Sequence, residues 1–398
     1  MPLRSKKMNA PRMGITNKLL LFNLIRNNPM ITRRTLSQLT SLDPSTVTKI
    51  VFSLLERGLV KEEGANSSKK PGRRSIALKV VKDAAISINL VFGPLRSFLG
   101  LGYLDNSYEI LDEFPTVSDV SEYFSIVYKK VKDLREKLAG KNIVGLSISL
   151  PGMADQKRQV MEIIPHLHWE DVDVRALFIE NDPQWQLPIF LANEAQLSFS
   201  AEISSNSQTR EFNDGLYVFI SEGVGGALMV NGQIYTGPSF SAGEFGHMSI
   251  DPEGEQCYCM NRGCWEVTVS VGHLVERFQR AGGNLSEEGL YEKFVEIMTR
   301  SASDSMAESV LEELVENLSR GVVNLANAFN PSFVMLGGMG EAIPDRFVER
   351  VQRLARKRAL KPAARDLRVF KGTLDILSAC SKGCTLLAMD AFAERLFQ

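Results

Sequence analysis

The stretch from 243 to 266, GEFGHMSIDPEGEQCYCMNRGCWE, holds one histidine and three cysteines within eighteen positions. Thiolates and imidazole are soft to borderline donors, and four of them close a tetrahedral site of the kind that structural zinc occupies. His247, Cys257, Cys259 and Cys264 form such a Cys3His set, which leaves no coordination position open for catalysis. The spacing C-x-C-x4-C is not the commonest zinc-finger spacing, so three unpaired thiols remain the competing reading of the spacing alone. A metal here would staple the loop and hold Glu244 and Glu266 at fixed positions beside a pocket. Crowded cysteines in a reduced compartment argue for metal binding over disulfides. Cys380 and Cys384, four apart on an expected helix, read as core residues.

A second group of chemically capable residues lies near the N-terminus. Residues 1–82 carry 17 Lys+Arg against 4 Asp+Glu, a charge of +13, so the remainder of the chain is −14 beneath a net charge of only −1. A basic segment on an acidic body is the asymmetry expected when one end meets a polyanion. Ser45, Thr46, Thr48 and Lys49 are short hydrogen-bonding or cationic side chains suited to the base edges of double-stranded operator DNA. Arg33 and Arg34 suit its phosphates. In the loop GANSSKKPGRR, 64–74, Lys69, Lys70, Arg73 and Arg74 surround a Pro-Gly turn and suit phosphates or a narrow minor groove.

These residues need helices to aim them. Val47, Ile50, Val51, Leu54 and Leu55 fall at i, i+3, i+4, i+7 and i+8, one buried stripe that leaves the hydroxyls and Lys49 outside. Asp43 and Pro44 supply its cap and first-turn residue. A helix over Arg33–Thr40, capped by Thr32, contributes Leu36 and Leu39, and one over Asn17–Arg26 offers Leu21, Leu24 and Ile25. Strand-like patterns at Leu59–Glu62 and Ser75–Val80, with Ile76, Leu78 and Val80 alternating, predict a two-stranded wing. The set matches a winged helix-turn-helix, which as a homodimer or tetramer would read two half-sites. Helix-turn-helix units also serve as protein-interaction modules, and a steep salt dependence of binding separates the two roles.

With 398 residues the chain should hold two or three domains. The apolar run Leu19–Ile25 is interrupted by Asn23 and is too short to span a bilayer, so no membrane segment and a cytoplasmic location are expected. From about residue 84 strands and helices alternate, an α/β pattern. Val144–Leu150 and Ile189–Ala192 read as buried strands. SLPGMAD, 149–155, turns at Pro151 and Gly152, and ANEAQLSFSAE, 192–202, begins a helix directly after a strand. Loops at the C-terminal ends of strands bind ligands in open α/β sheets. That makes Asn193 and Glu194 ligand candidates, against the plainer reading that they cap the helix.

Taken together, these stretches resemble the ROK family of repressors, open reading frames and sugar kinases. The likeness rests on the Cys-His stretch, the SLPG turn, HLHWEDVDVRALF around Trp169, the strand-loop-helix at Asn193, SEGVGGA at 221–227 and NPSFVMLGGMG at 330–340. The winged helix is what the repressor branch carries. The resemblance implies a two-lobed fold like the actin and hexokinase ATPases, ribonuclease H-like, with sugar bound between the lobes. Residues 1–82 would be the DNA-binding domain and 83–398 the sugar-sensing domain. The family's sugar ligands carry over to Gly152 (through its backbone), Asn193, Glu194, Glu244, His247 and Glu266, and its structural zinc to the Cys3His set. His247 would then serve metal and sugar, one ring nitrogen for each.

Phosphoryl transfer needs backbone N–H groups and small residues around the phosphates. Kinases resembling this chain show Asp-x-Gly-Gly-Thr after the first strand, where this sequence reads ISINLVFGPL, 86–95, with Leu90, Val91, Phe92 and Pro94 and only Gly93 left to approach a phosphate. The second loop keeps Gly223, Gly225 and Gly226 but places Glu222 where a small hydroxyl residue is usual. Glu194 replaces the kinases' catalytic Asp. Gly337, Gly338 and Gly340 match the family's adenosine region and equally suit a turn after a core strand. The expectation is therefore a non-enzymatic, sugar-responsive repressor of carbohydrate metabolism genes whose operator is released by a small sugar effector. An active ATP-dependent sugar kinase with an added DNA-binding domain is the alternative.

Overall fold

A computed structural model describes residues 10–64, 76–209 and 211–398, which form two compact units. The first takes in the chain to Pro151, then Arg158–Leu191 and Cys384–Gln398; the second is Gly152–Lys157 with Ala192–Gly383. The boundary expected at 82/83 falls inside the first unit.

The first unit begins with α1 (Ala10–Asn27), β1 (Ile31–Thr32), α2 (Arg33–Thr40), α3 (Pro44–Glu56), β2 (Val60–Glu63) and β3 (Ala77–Val80). Local chemistry sets the helix starts. Thr32 accepts a hydrogen bond from the Thr35 amide at 3.2 Å, and Asp43 accepts from the amides of Ser45 and Thr46 at 2.9 and 3.0 Å, satisfying donors that a helix N-terminus leaves unpaired. Val47, Ile50, Val51 and Leu54 face inward as their spacing requires, joined by Leu21, Phe22, Ile25, Leu36 and Leu78. Leu39 departs from expectation: it is 62% exposed, because the eight-residue α2 presents Leu36 to the core and turns Leu39 to solvent. The wing is also wider than expected. Ile31 pairs with Leu78, making a three-stranded sheet in the order β1-β3-β2, while Ile76 lies outside the pairing and is exposed.

The end of the chain completes this core. Phe22 meets Phe397 edge-on at 5.8 Å, Arg26 is buried with its guanidinium on Asp390, and Arg57 donates to the Leu396 carbonyl at 3.2 Å. The terminal helix, Ile376–Phe397, is apolar and long enough by composition to cross a bilayer, but 56% of its most apolar window is buried within the protein. That is the composition of a core helix.

Beyond the wing come β4 (Ile86–Phe92), β5 (Arg96–Tyr103), β6 (Tyr108–Pro115), α4 (Val120–Lys137) and β7 (Ile143–Leu150). With the strand Ile189–Asn193 they form a five-stranded sheet in which β4 pairs parallel to β7 and antiparallel to β5. All seven residues of β4 are buried. At its end Phe92 stacks on Trp169 (5.3 Å, 14°) and leans on Tyr123 (5.0 Å), and the Trp169 indole donates to the Ser118 carbonyl at 2.7 Å.

In the second unit the strand Gly215–Ile220 is central, antiparallel to Val224–Val230 and parallel to Phe333–Gly338, which pairs in turn with Arg368–Lys371. The 25-residue helix Ser305–Phe329 lines its main core. Gly321 is needed on that helix because a Cβ there would lie 2.0 Å from the Trp265 ring, whose indole N–H is bonded to the Asn317 carbonyl at 2.9 Å. Trp265 thus anchors the cysteine-bearing loop to the core.

Truncating Phe22 empties a site walled by the terminal helix, so Phe22→Ala should lower the unfolding free energy by about 3–5 kcal/mol in urea titrations. An unchanged midpoint would mean that the Phe22–Phe397 packing does not hold the head together.

Candidate sugar, metal and DNA sites

The loop that carries the cysteines is closed by its own backbone: Ile250 donates to Gly263 at 2.8 Å, Cys257 to Asn261 at 2.8 Å and Trp265 to Met248 at 2.8 Å. Gly263, at φ +60°, permits this turn, since a Cβ there would meet the Asp251 carbonyl oxygen at 1.6 Å. The result gathers His247, Cys257, Cys259 and Cys264, whose ligand atoms all lie within 4.8 Å of one another. Cys257 Sγ is 3.7 Å from His247 Nδ1, and the sulfurs of Cys259 and Cys264 are 3.6 Å apart. Bonds of about 2.3 Å from a tetrahedral ion to sulfur place neighbouring sulfurs about 3.8 Å apart, so the set fits a metal. Burial pushes the Cys264 thiol up to about 12, and a bound cation would have to displace that proton.

The side chains expected at a sugar all fall in the second unit. Asn193 caps the helix Glu194–Ser205, its Oδ1 accepting from the amides of Ala195 (2.7 Å) and Gln196 (3.4 Å), while its Nδ2 donates to the Gly152 carbonyl at 2.9 Å. The capping role is therefore real, and it also ties Gly152 to the helix start. Glu194 follows as the first helical residue; burial, with a further push from Glu222, raises its carboxyl to about 7. The glycine loop lies against this turn: a Cβ on Gly225 would touch Ala195 Cβ at 3.4 Å.

Glu266 joins that loop to the Cys3His cluster. One carboxylate oxygen accepts from the Val224 amide at 2.8 Å, and the other lies 4.0 Å from Cys257 Sγ. Glu244 is raised by burial, with His247 opposing the shift. Sequence reasoning missed Tyr258, whose hydroxyl takes His247 Nε2 at 3.0 Å. The ring nitrogen expected to face a sugar is thus bonded to an exposed phenol.

On the head, α3 turns Ser45, Thr48 and Lys49 outward. Ser45 and Thr46 donate their hydroxyls to the Asp43 carboxylate, both at 2.6 Å, and Thr48 donates to the Pro44 carbonyl at 2.7 Å. The Ser45 and Thr46 bonds hold the Asp43 carboxyl well below the usual range, and all three hydroxyl oxygens keep lone pairs to offer. Phe52, 58% exposed and one turn beyond Thr48 on the same face, went unnoticed in the sequence although its i+4 spacing marks it. Arg34 is exposed, whereas Arg33 is paired with Glu62 at 2.6 Å. Lys69, Lys70, Arg73 and Arg74 lie outside the described residues.

The sequence pattern of the ROK family matches residues 103–384. The chain is 29% identical over 329 residues to the xylose repressor of Bacillus spizizenii, covering 81% of this chain and 81% of that one. It is 24% identical over 378 residues to the DNA-binding transcriptional dual regulator NagC of Escherichia coli, covering 91% of this chain and 90% of that one. Its fold is like the crystal structure of a ROK family transcriptional regulator, a homolog of the E. coli Mlc protein, with a TM-score of 0.78 at 20% identity over 97% of this chain and 98% of that one. The family match runs from the end of β5 into the terminal helix, well over half of the residues, and the chain belongs to the ROK family.

Proposed function

We propose that the chain is a sugar-responsive transcriptional repressor, acting in the cytoplasm as a homodimer or tetramer on double-stranded operator DNA and without catalytic activity of its own. The observation that carries this reading is the pairing of an outward-facing Ser45/Thr48/Lys49 helix with a disabled phosphate apparatus. Phe92 stacks on Trp169 where a phosphate turn would need small residues, and the Val224 amide of the glycine loop is taken by Glu266. The names of the relatives, a xylose repressor and NagC, point the same way.

Residues 1–82 would form the DNA-reading head and 83–398 the sensing part. Lys49 and the lone pairs of Ser45, Thr46 and Thr48 would meet base edges, and Arg33, Arg34 and the wing cations Lys69, Lys70, Arg73 and Arg74 the backbone. Gly152, Asn193, Glu194, Glu244, His247 and Glu266 would hold a sugar through its hydroxyls. Glu194, titrating near 7, can donate as well as accept toward a hydroxyl at neutral pH. The Cys3His set suits zinc, which when bound cross-links the loop and fixes His247 and Glu266. Coupling of about 1–3 kcal/mol between sugar and DNA sites gives a several-fold to hundredfold drop in operator affinity.

With duplexes selected from a random pool, fluorescence anisotropy should show affinity falling steeply with salt, weakening on sugar addition, and losing about 1–3 kcal/mol in Lys49→Ala. Salt-insensitive binding, or tighter binding with sugar, would contradict the repressor reading. Elemental analysis should find one zinc per chain, absent in Cys257→Ser and Cys264→Ser variants, with a lower melting temperature on chelation; a metal-free native protein of equal stability would remove the zinc assignment. The raised carboxyl of Glu194 contributes stability that is full below 4.5 and lost as the pH climbs to about 7. Between pH 4.5 and 7.5 the wild type should therefore fall by about 1–3 kcal/mol relative to Glu194→Gln. Parallel pH profiles would show that Glu194 is not held protonated.

A further inference from the structure

The surroundings of the glycine loop bear on what kind of sugar is admitted, an inference that rests on the sugar-sensing reading above. A protein holds a phosphate with unclaimed backbone N–H groups at a helix N-terminus or glycine turn, or with cationic side chains. Here several donors of both kinds are claimed from within. At the start of the helix Glu194–Ser205, the Ala195 and Gln196 amides already donate to Asn193 Oδ1. In the loop, the Val224 amide donates to Glu266 and the Ser221 amide to the Gly223 carbonyl at 2.9 Å, and Gly225 stands opposite Phe219 in the antiparallel ladder.

Charge acts in the same direction. Gly225 backs onto Ala195, so the loop bearing Glu222 adjoins the turn bearing Glu194, and the Glu222 charge is felt there. Gly223 packs close to Glu266, since a Cβ at that position would stand 2.6 Å from Glu266 Oε2. A cation does lie on the segment after Gly152: Lys157, whose ammonium sits over the Phe240 ring at 5.4 Å. Phe240 in turn receives a hydrogen bond on its carbonyl from Gln196, on the same helix as Glu194, at 3.2 Å.

We propose that the effector is an uncharged sugar, and that Glu194, Glu222 and the pre-empted amides exclude sugars carrying a phosphate. A phosphomonoester brings a charge of about −1.5 to −2 at neutral pH. It would meet the Glu222 carboxylate and amides that Asn193 and Glu266 already claim, whereas hydroxyls find acceptors in the same side chains and a shared proton on Glu194.

Calorimetry on the full-length, metal-replete chain tests this with D-xylose, D-glucose and N-acetyl-D-glucosamine beside glucose 6-phosphate and N-acetylglucosamine 6-phosphate. At least one neutral sugar should bind, with the phosphorylated sugars weaker by about 100-fold or more. Glu222 is exposed, so Glu222→Gln should fold, as a thermal melt will show, and narrow that gap by about tenfold. A phosphorylated sugar that binds as tightly as any neutral one overturns the proposal, most directly if Lys157→Gln abolishes that binding. An unchanged gap in Glu222→Gln removes Glu222 from the account and overturns the proposal in the form given. If no sugar of either kind binds, the sensing reading itself fails and takes this inference with it.

Discussion

The carboxylate of Glu266 is the interaction on which the second unit's chemistry depends. It bonds the Val224 amide with one oxygen and reaches Cys257 Sγ with the other, so the glycine loop and the cysteine loop share one side chain. Its neighbour Trp265 is wholly buried and fastened to Asn317. Through these adjacent residues the core helix Ser305–Phe329 is tied to both loops.

The first unit relies on a different constraint, the packing of its beginning against its end. Arg26 lies at 5% exposure with its guanidinium committed to Asp390, and Phe22 fills the space beside Phe397. A head built only from residues 1–82 would expose that apolar surface. Helices α1 to α3 accordingly share one continuous core with Ala85, Leu104, Val144, Met389 and Ala393.

Much of this was legible in the sequence where the signal is local. Thr32 and Asp43 mark helix starts by the oxygen each offers to an amide, and the Val47–Leu54 stripe follows from 3.6-residue periodicity. The Cys3His cluster could be read because its side chains crowd into one loop. What stayed hidden depends on partners distant along the chain. The Glu266–Val224 bond spans 42 residues and Phe22–Phe397 almost the whole chain, so neither leaves a periodic trace. Leu39 misled because a leucine three residues after a buried one in a short helix can face either way. Tyr258 lay in plain view between two cysteines, but nothing in the order of residues indicates that its hydroxyl reaches back to His247.

The ion pair between Arg33 and Glu62 has a bearing on how the proposed DNA-reading head would search a duplex. An arginine that must leave its own carboxylate for a phosphate would gain less than a free one, because the counterion shed by the phosphate is offset by an unpaired Glu62 facing the duplex. In that role the wing would carry a built-in competitor that weakens every random encounter alike. A site that rewarded Lys49 and its neighbours at the bases would overcome it, and a weaker grip on the wrong sequence is as useful to a regulator as a stronger grip on the right one.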